Sequence, residues 1–294
     1  MKTKSLERIL KPAGITMSEN HVYTAENGDL YTGCTTISGA WRKDFLAPWY
    51  ALEMFKEASK RIGEIGLALK DASDPSAAIK ILEECKGAAK RKADQAKNDG
   101  TDAHDHIRVM IQAKIEGKKK FTAPKKLNKE SQNAVNAFMA WAKQNKIEWL
   151  ASEELVASHE YKVGGTVDAI AVVDGLTYLL DFKTSSQVGE DALLQLAGYD
   201  VMLSEMGLQV MGHLILRLPK DGTSAETLTI TNAEDMKFFR ETFLRMREAH
   251  KFFIYMVSKF KEATTKKMKV DEKPIESIPS VLTKKKVVLR RKTK

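Results

Sequence analysis

The chain contains little cysteine and no long apolar segment. Its 294 residues include two cysteines, Cys34 and Cys85, in unrelated segments without zinc-ligand spacing. No apolar run reaches the roughly 20 residues that cross a bilayer, and the first residues lack the apolar centre of a signal peptide. These absences exclude a cysteine zinc site, and they predict a cytoplasmic protein without membrane association.

Positive charge is abundant but unevenly placed. The formal net charge is +9, yet residues 264–294 hold 11 Lys or Arg against three Asp or Glu and so contribute +8 of it. This segment also has two prolines and little periodicity. It is typical of a disordered tail that binds DNA phosphates without reading sequence, or of one that only keeps the protein soluble.

Two carboxylates and a lysine fall at neighbouring strand positions. Asp168 lies in one apolar run, and Asp181 and Lys183 lie at the end of the next. Asp174-Gly175 between the runs is a type I′ turn signal, which predicts a hairpin that brings Asp168 beside Asp181. Because side chains alternate along a strand, Asp181 and Lys183 should share one face.

Such a pair of carboxylates favours a bound metal ion. Two ionised carboxylates on adjacent strands repel each other unless a cation lies between them. Mg²⁺ prefers oxygen ligands and is often held by one or two carboxylates with water and phosphate oxygens. The metal would activate a water against phosphorus, and Lys183 would orient or help deprotonate that water, or neutralise the transition state. The alternative is a pair of solvated carboxylates at strand ends.

Three short elements occur in a characteristic order. They are Gly165-Thr166-Val167-Asp168, then Asp181-Phe182-Lys183-Thr184, then Gln195-Leu196-Ala197-Gly198-Tyr199. In order and spacing they resemble the first metal-carboxylate motif, the Asp-x-Lys-Thr signature and the Gln-x-x-x-Tyr element of the PD-(D/E)XK nuclease superfamily. Within it, residues 154–199 are most similar to the RecB-like and phage-type exonucleases. Position 167 is Val where the superfamily name has Pro.

The resemblance and the order of predicted elements imply the same α/β fold. We expect a restriction-endonuclease-like core with a small mixed central β-sheet flanked by helices, joined to a helical N-terminal half. The predicted regions are a helical region at 1–146 that packs on the core, the nuclease core at 147–262 and the basic tail at 263–294. Some relatives hold an iron–sulfur cluster on four cysteines, which two cysteines cannot supply unless a second chain contributes.

The resemblance also implies an activity. It is that of a Mg²⁺- or Mn²⁺-dependent deoxyribonuclease, an exonuclease of DNA processing, recombination or replication in a bacterial or phage-infected cell. Single- or double-stranded DNA is the expected partner, with phage or host recombination proteins as further candidates. A structure-specific or nicking endonuclease with the same site remains an alternative, as does a catalytically silent DNA-binding accessory protein.

The resemblance assigns a metal-binding role to a distant histidine. His104 stands in a Gly-Thr-x-x-His sequence that should open a helix, capped by Thr101. It would join Asp168, Asp181 and the Phe182 carbonyl as a ligand, and imidazole suits Mn²⁺ better than Mg²⁺. An ordinary helical histidine is the alternative.

Three further residues are candidate catalytic residues. Gln195 and Tyr199 are four apart, so they share one helix face, which the resemblance turns toward Lys183 or DNA. A surface amide and a half-buried aromatic would look the same in sequence. For Glu154, ahead of the first core strand's apolar run, the resemblance implies a catalytic carboxylate, and an exposed strand-edge residue is the alternative.

Hydroxyls and lysines are the expected DNA contacts. Thr35 and Thr36 can donate to a phosphate, although capping the next helix fits them slightly better. Thr184, Lys119 and Lys120 are the other candidates, and the lysine-rich run around the last two is equally typical of a solvated loop.

Overall fold

The computed structural model describes residues 2–41, 46–70, 74–118 and 120–271. Residues Met1–Glu248 form one compact unit and Ala249–Lys294 a second. The N-terminal region and the sheet therefore share one compact unit, which ends at Glu248. Among the described residues, no helix has both the length and the apolar character required to cross a membrane.

The described residues form a mixed α/β fold with most helices in the N-terminal half, as expected from the sequence. The helices are α1 (Lys4–Glu7), α2 (Cys34–Ser38), α3 (Leu46–Lys60), α4 (Ile62–Ala68), α5 (Ser76–Lys86), α6 (Ala88–Ile115), α7 (Lys129–Gln144), α8 (Glu190–Glu205) and α9 (Ala233–Asp271). The strands are β1 (Ile15–Met17), β2 (Tyr23–Ala25), β3 (Leu30–Gly33), β4 (Ile147–Ser158), β5 (Val163–Val173), β6 (Leu176–Lys183), β7 (Gly212–Arg217) and β8 (Glu226–Ile230).

The central sheet mixes parallel and antiparallel pairs. Its order is β1-β2-β3-β5-β6-β7-β8, with β4 also paired to β5. Strands β4, β5 and β6 form an antiparallel meander, whereas β3 runs parallel to β5, and β7 runs parallel to β6. The predicted turn between β5 and β6 is confirmed, since Asp174 and Gly175 have φ of 48° and 90°, as a type I′ turn requires.

Two apolar cores cover opposite faces of this sheet. Leu179 belongs to the core that includes α8 and the start of α9, whereas the next residue, Leu180, belongs to the core under α6 and α7. Because successive strand side chains point to opposite faces, each face is buried by its own helices. The central sheet therefore lies between helical layers, as in a restriction-endonuclease-like fold. The β5–β6 hairpin lies in the middle of the sheet.

Two predicted element boundaries were wrong. The helix expected to open at Thr101 begins at Ala88, so Gly100 and Thr101 lie inside α6, and the Thr101 hydroxyl donates to the Lys97 carbonyl instead of capping. Helix α9 continues to Asp271, into the segment predicted to be a disordered tail. The rest of that tail, residues 272–294, lies outside the described residues.

Candidate active site

Three acidic residues fall in one row across the meander. The pairs Ser152–Ala169 and Glu154–Val167 flank Glu153 and Asp168, which places these two residues opposite each other on β4 and β5. The β5–β6 register ends at Ala169–Leu180, so Asp168 and Asp181 are the next residues along these two strands, and their charges interact. The sheet therefore brings the two predicted carboxylates side by side and adds a third.

Asp181 is buried and paired with Lys183. Its residue is 1% exposed, and the Lys183 Nζ lies 2.8 Å from Oδ1 and 2.7 Å from Oδ2. Oδ2 still accepts no hydrogen bond of good geometry in the described structure. Burial raises the pKa of Asp181 to about 6, with Asp168 adding to the rise and Lys183 opposing it. The carboxylate therefore gains from a further positive charge.

Lys183 carries its positive charge at neutral pH. Burial by itself lowers the pKa of Lys183, but the charges of Asp181 and Asp168 outweigh that effect and leave the pKa raised. The Nζ also donates to Gln195 Oε1 at 3.3 Å. Lys183 is thus a fixed cation, suited to holding an anion or orienting a water rather than to accepting a proton.

Asp168 lies at the junction of three elements. Its Oδ2 accepts a hydrogen bond from the Phe182 backbone N–H at 2.7 Å and lies 3.8 Å from His104 Nδ1. The imidazole stacks edge-on against the Phe182 ring, with 6.1 Å between centroids. His104 therefore reaches the carboxylate pair from α6, as the sequence suggested.

A glycine lets α6 approach the end of β6. A Cβ built on Gly100 would lie 2.7 Å from Thr184 Oγ1, closer than packed atoms tolerate. His104 follows one turn later on the same side of the helix. The Gly-Thr-x-x-His sequence thus has a physical basis in the close contact between α6 and Thr184.

Helix α8 closes the other side of the site. Gln195 Nε2 donates to the Tyr199 hydroxyl at 3.0 Å, while its Oε1 accepts from Lys183. The buried Tyr199 ring lies over Gly165, where a Cβ would come within 2.5 Å of Tyr199 Cε1. The structure therefore joins Gln195 and Tyr199 to Lys183 in a single hydrogen-bonded chain.

Glu153, rather than Glu154, lines the cleft, so the glutamate that the structure brings to the site is one residue before the predicted one. Glu154 Oε1 forms a 2.7 Å ion pair with Lys2. Glu153 adopts a left-handed backbone with φ of 50°, a local irregularity that no sequence motif signals. Its side chain is open to solvent in the cleft, but protein atoms on the other sides keep water from part of the carboxylate. This desolvation, together with the charge of Asp168, raises the pKa of Glu153 to about 7, while His104 acts to lower it.

The cleft beside these residues has a volume of about 520 Å³. Residues from α6, β4, the end of β6 and the loop after β7 line it, and they include His104, Glu153, Lys183, Thr184 and Lys220. Of the predicted DNA contacts, Thr184 is therefore at the site. Lys120 lines a different groove, of about 400 Å³, next to Phe138 and Trp149, and Lys119 lies outside the described residues.

Thr35 and Thr36 do not cap a helix. Gly33 precedes α2 as its capping residue without any side-chain cap, and both threonines are exposed in the first turn. The preceding Cys34 Sγ lies 3.4 Å from the Gln195 carbonyl oxygen, so α2 begins next to α8. The capping interpretation was wrong, and a contact with DNA stays a prediction.

The donor atoms at the site are of the kind that a hard divalent cation prefers, but too few side chains converge to hold one by themselves. Asp168, Asp181 and the Phe182 carbonyl supply oxygen, His104 supplies nitrogen, and Asp181 Oδ2 has unused acceptor capacity. In the part of the chain that the structure describes, however, no three His, Cys, Asp or Glu side chains converge as a ready metal cage. Mg²⁺ sites commonly complete such a set with water and substrate oxygens.

Comparisons with known proteins give a limited answer. No family model matches the chain, and no curated protein matches it. Similar solved structures include an alkaline exonuclease, LHK-Exo, from Laribacter hongkongensis, with a TM-score of 0.28 and 11% identity over 52% of this chain and 83% of that one. A second structure, LHK-Exo in complex with dAMP, has a TM-score of 0.26 and 12% identity, and the match covers 54% of this chain and 93% of that one. Both are structures of a nuclease, but at these scores they carry no argument for this chain.

Proposed function

We propose that the protein is a metal-dependent nuclease that hydrolyses phosphodiester bonds in DNA. The observation that carries the proposal is the buried Asp181 carboxylate, which lies beside Asp168 and binds a cationic Lys183 at the edge of an open cleft. Buried charges at a cleft, with pKa values shifted by burial and by each other, are typical of catalytic sites.

The chain's own oxygens would hold the metal. Asp168, Asp181 and the Phe182 carbonyl are the proposed oxygen ligands for Mg²⁺ or Mn²⁺, with His104 as the nitrogen ligand. When bound, the metal supplies a Lewis acid and an activated water for attack on phosphorus. The buried Asp181 contributes most to affinity, because a cation relieves the cost of its ionisation.

Lys183 and Glu153 would have two further roles, charge neutralisation and proton transfer. Because Lys183 stays protonated, it neutralises charge on the phosphate oxygens, and Gln195 fixes its position. Glu153 has a pKa of about 7, so near neutral pH it can exchange a proton with the attacking water or the leaving oxygen. His104 and Tyr199 hold the two sides of this arrangement in place.

The preference for DNA and the exonuclease mode follow the sequence resemblance. The test is digestion of end-labelled linear DNA and of circular single-stranded DNA with Mg²⁺, Mn²⁺ or EDTA. We expect cleavage of the linear substrates with either metal, none in EDTA, and an intact circle. Opening of the circle would assign an endonuclease with the same site. No cleavage of any substrate with either metal would reject nuclease activity in favour of a DNA-binding accessory protein.

A further inference from the structure

The cleft contains two lysines that the metal site does not use. Lys97 on α6 and Lys220 in the loop after β7 both line it, together with Thr101 and Thr184. Within the described residues, neither lysine forms an ion pair with a carboxylate. They are therefore available cations in the same cleft as the catalytic groups.

Lys220 is fixed in place by three neighbouring elements. Its Nζ donates to the Ala96 carbonyl on α6 at 2.7 Å, and its own carbonyl accepts from Asn133 Nδ2 on α7 at 2.8 Å. The Leu218 N–H donates to the Lys183 carbonyl at 2.7 Å, which ties the start of the loop to the end of β6. An ammonium held this way loses little conformational entropy when it binds an anion.

The surroundings of Lys220 leave its charge poorly compensated. Burial lowers the pKa of Lys220, while the charges of Asp99 and Glu130 act in the opposite direction. One of its three donors is satisfied by the Ala96 carbonyl. An anion in the cleft would supply the missing counter-charge.

Helix geometry places this pair away from the metal ligands. Lys97 precedes His104 by seven residues, so it lies on the same face of α6 about 10 Å along the axis. Lys220 contacts Ala96, the residue next to Lys97. A phosphate held at this position would lie next to one held at Asp168 and Asp181. Asp105 and Glu153 line the same cleft, but they lie on the His104 side and on β4.

We propose that Lys97 and Lys220 bind one backbone phosphate of the nucleic acid, next to the phosphate that is cleaved. This inference rests on the proposed nuclease function, which it deepens by assigning a second phosphate subsite. The Thr184 hydroxyl, between this subsite and Lys183, donates a further hydrogen bond to the same strand. The subsite would set the register of the strand without reading its sequence.

The test uses charge-removing variants of the full chain, Lys97→Gln, Lys220→Gln and the double variant. Lys146→Gln is the matched control, because Lys146 is an exposed lysine near the opposite end of the meander. DNA binding is measured in EDTA at several salt concentrations, and cleavage is measured with Mn²⁺. We expect the double variant to lower the salt slope by about one, the value for one phosphate, and to raise KM about tenfold with kcat unchanged.

A chemically altered substrate locates the subsite. Single methylphosphonates, which remove one phosphate charge, are scanned along the DNA near the cleavage point. At one position the loss of affinity seen in the wild type should vanish in the double variant, because the lysines are no longer there to sense the charge. Losses that add at every position, or lysine variants that bind like Lys146→Gln, would overturn the proposal.

Two controls keep the outcomes distinct. Lys220→Arg retains the charge and should bind with the wild-type salt slope, and Lys97→Gln changes an exposed residue that the fold does not need. If the wild-type chain cleaves no DNA, the nuclease function fails, but the binding series in EDTA still decides whether a phosphate subsite exists.

Discussion

Asp181 and Lys183 show how two side chains can set each other's ionisation. The pKa of each is raised, for Asp181 by burial and for Lys183 by the two nearby carboxylates. Neither group can be removed without leaving the other as an unpaired buried charge or changing its protonation. The pair is therefore a single functional unit of the site.

Asp181→Asn should reduce the cleavage rate by about 10³-fold, the order of loss for one preorganised electrostatic contribution. The amide keeps the shape of the side chain but removes the charge that binds the metal and Lys183. Cleavage of labelled DNA with Mn²⁺ gives the rate, and binding in EDTA should remain. Asp174→Asn, the same change in the β5–β6 turn, is the control, and equal rates for both variants would contradict the assignment.

Glu153→Gln should change the pH dependence of stability. The pKa of Glu153 is about 7 in the folded chain, against an ordinary value of 4.5, so the folded state binds more protons between these pH values. Wild-type stability therefore falls as pH rises through that window, and the loss is complete above it. The glutamine variant should gain in Tm over wild type at pH 8 but not at pH 4, as measured by thermal unfolding in EDTA.

A control on the same strand separates this effect from a general change of charge. Glu148→Gln alters an exposed glutamate at the far end of β4 and should shift Tm by a similar amount at both pH values. A Glu153→Gln gain that is equal at pH 4 and pH 8 would show that ionisation of Glu153 does not oppose folding.

The sequence could predict which residues come together only where they are close to one another along the chain. Asp168, Asp181 and Lys183 come together because a short hairpin with a recognisable turn joins them. Glu153 was missed because no sequence motif distinguishes it from its neighbour Glu154, and its left-handed backbone, with φ of 50°, is visible only in the folded strand. The sequence could have indicated only that one of two adjacent glutamates faces the carboxylates.

At the scale of elements, glycines control how closely the helices approach the sheet, because they have no side chain. Gly165 leaves room for the Tyr199 ring, and Gly198 leaves room for Phe243 and Cys34. Helix α8 can therefore lie against β5 and α2 at a distance that puts Gln195 within reach of Lys183.

Gly165→Ala should destabilise the fold by about 1–3 kcal/mol, the usual cost of inserting a methyl into a packed interior. The added Cβ would lie 2.5 Å from Tyr199 Cε1 and would push α8 outward. Urea unfolding measures the loss, and kcat should fall as Gln195 moves from Lys183. Gly63→Ala in α4, where no atom lies within 4 Å of the new Cβ, is the control and should be neutral or slightly stabilising.

The limits of α6 could not be read from the sequence for a related reason. Gly100 disfavours a helix interior by roughly 1 kcal/mol relative to alanine, so a helix start after it was the natural reading. Tertiary packing outweighs that preference, and glycine permits the close approach, because a Cβ at this position would lie 2.7 Å from Thr184 Oγ1. The sequence therefore predicted that a helix carries His104 but misjudged where that helix begins.

At the scale of the whole molecule, most of the net positive charge lies in a part of the sequence that does not contain the site residues. The segment 272–294 contains eight Lys or Arg and two Asp or Glu, a net charge of +6. The site itself combines acidic and basic groups in one cleft. Binding strength and cleavage chemistry are therefore expected to depend on different parts of the sequence.

Deletion of residues 272–294 should weaken DNA binding and lower its salt slope, while kcat at saturating DNA stays the same. The reason is that lysine and arginine bind phosphates by releasing counterions, whatever their order in the sequence. Binding at several salt concentrations measures the effect. A chain with the same tail residues in shuffled order is the control and should bind like the wild type, whereas an unchanged slope after deletion would indicate a solubilising tail.

The parallel pairing of β3 with β5 also has a consequence for how the chain is made. Tyr31, on β3, donates or accepts a hydrogen bond with His159, which follows 128 residues later. At ribosomal rates of about 5–20 residues per second, the N-terminal strands wait on the order of 10 s before their partner strand is synthesised. During that interval β3 exposes an unpaired edge, a site for aggregation. Production at lower temperature or with a chaperone should therefore protect the nascent N-terminus more than the meander, whose pairings are local.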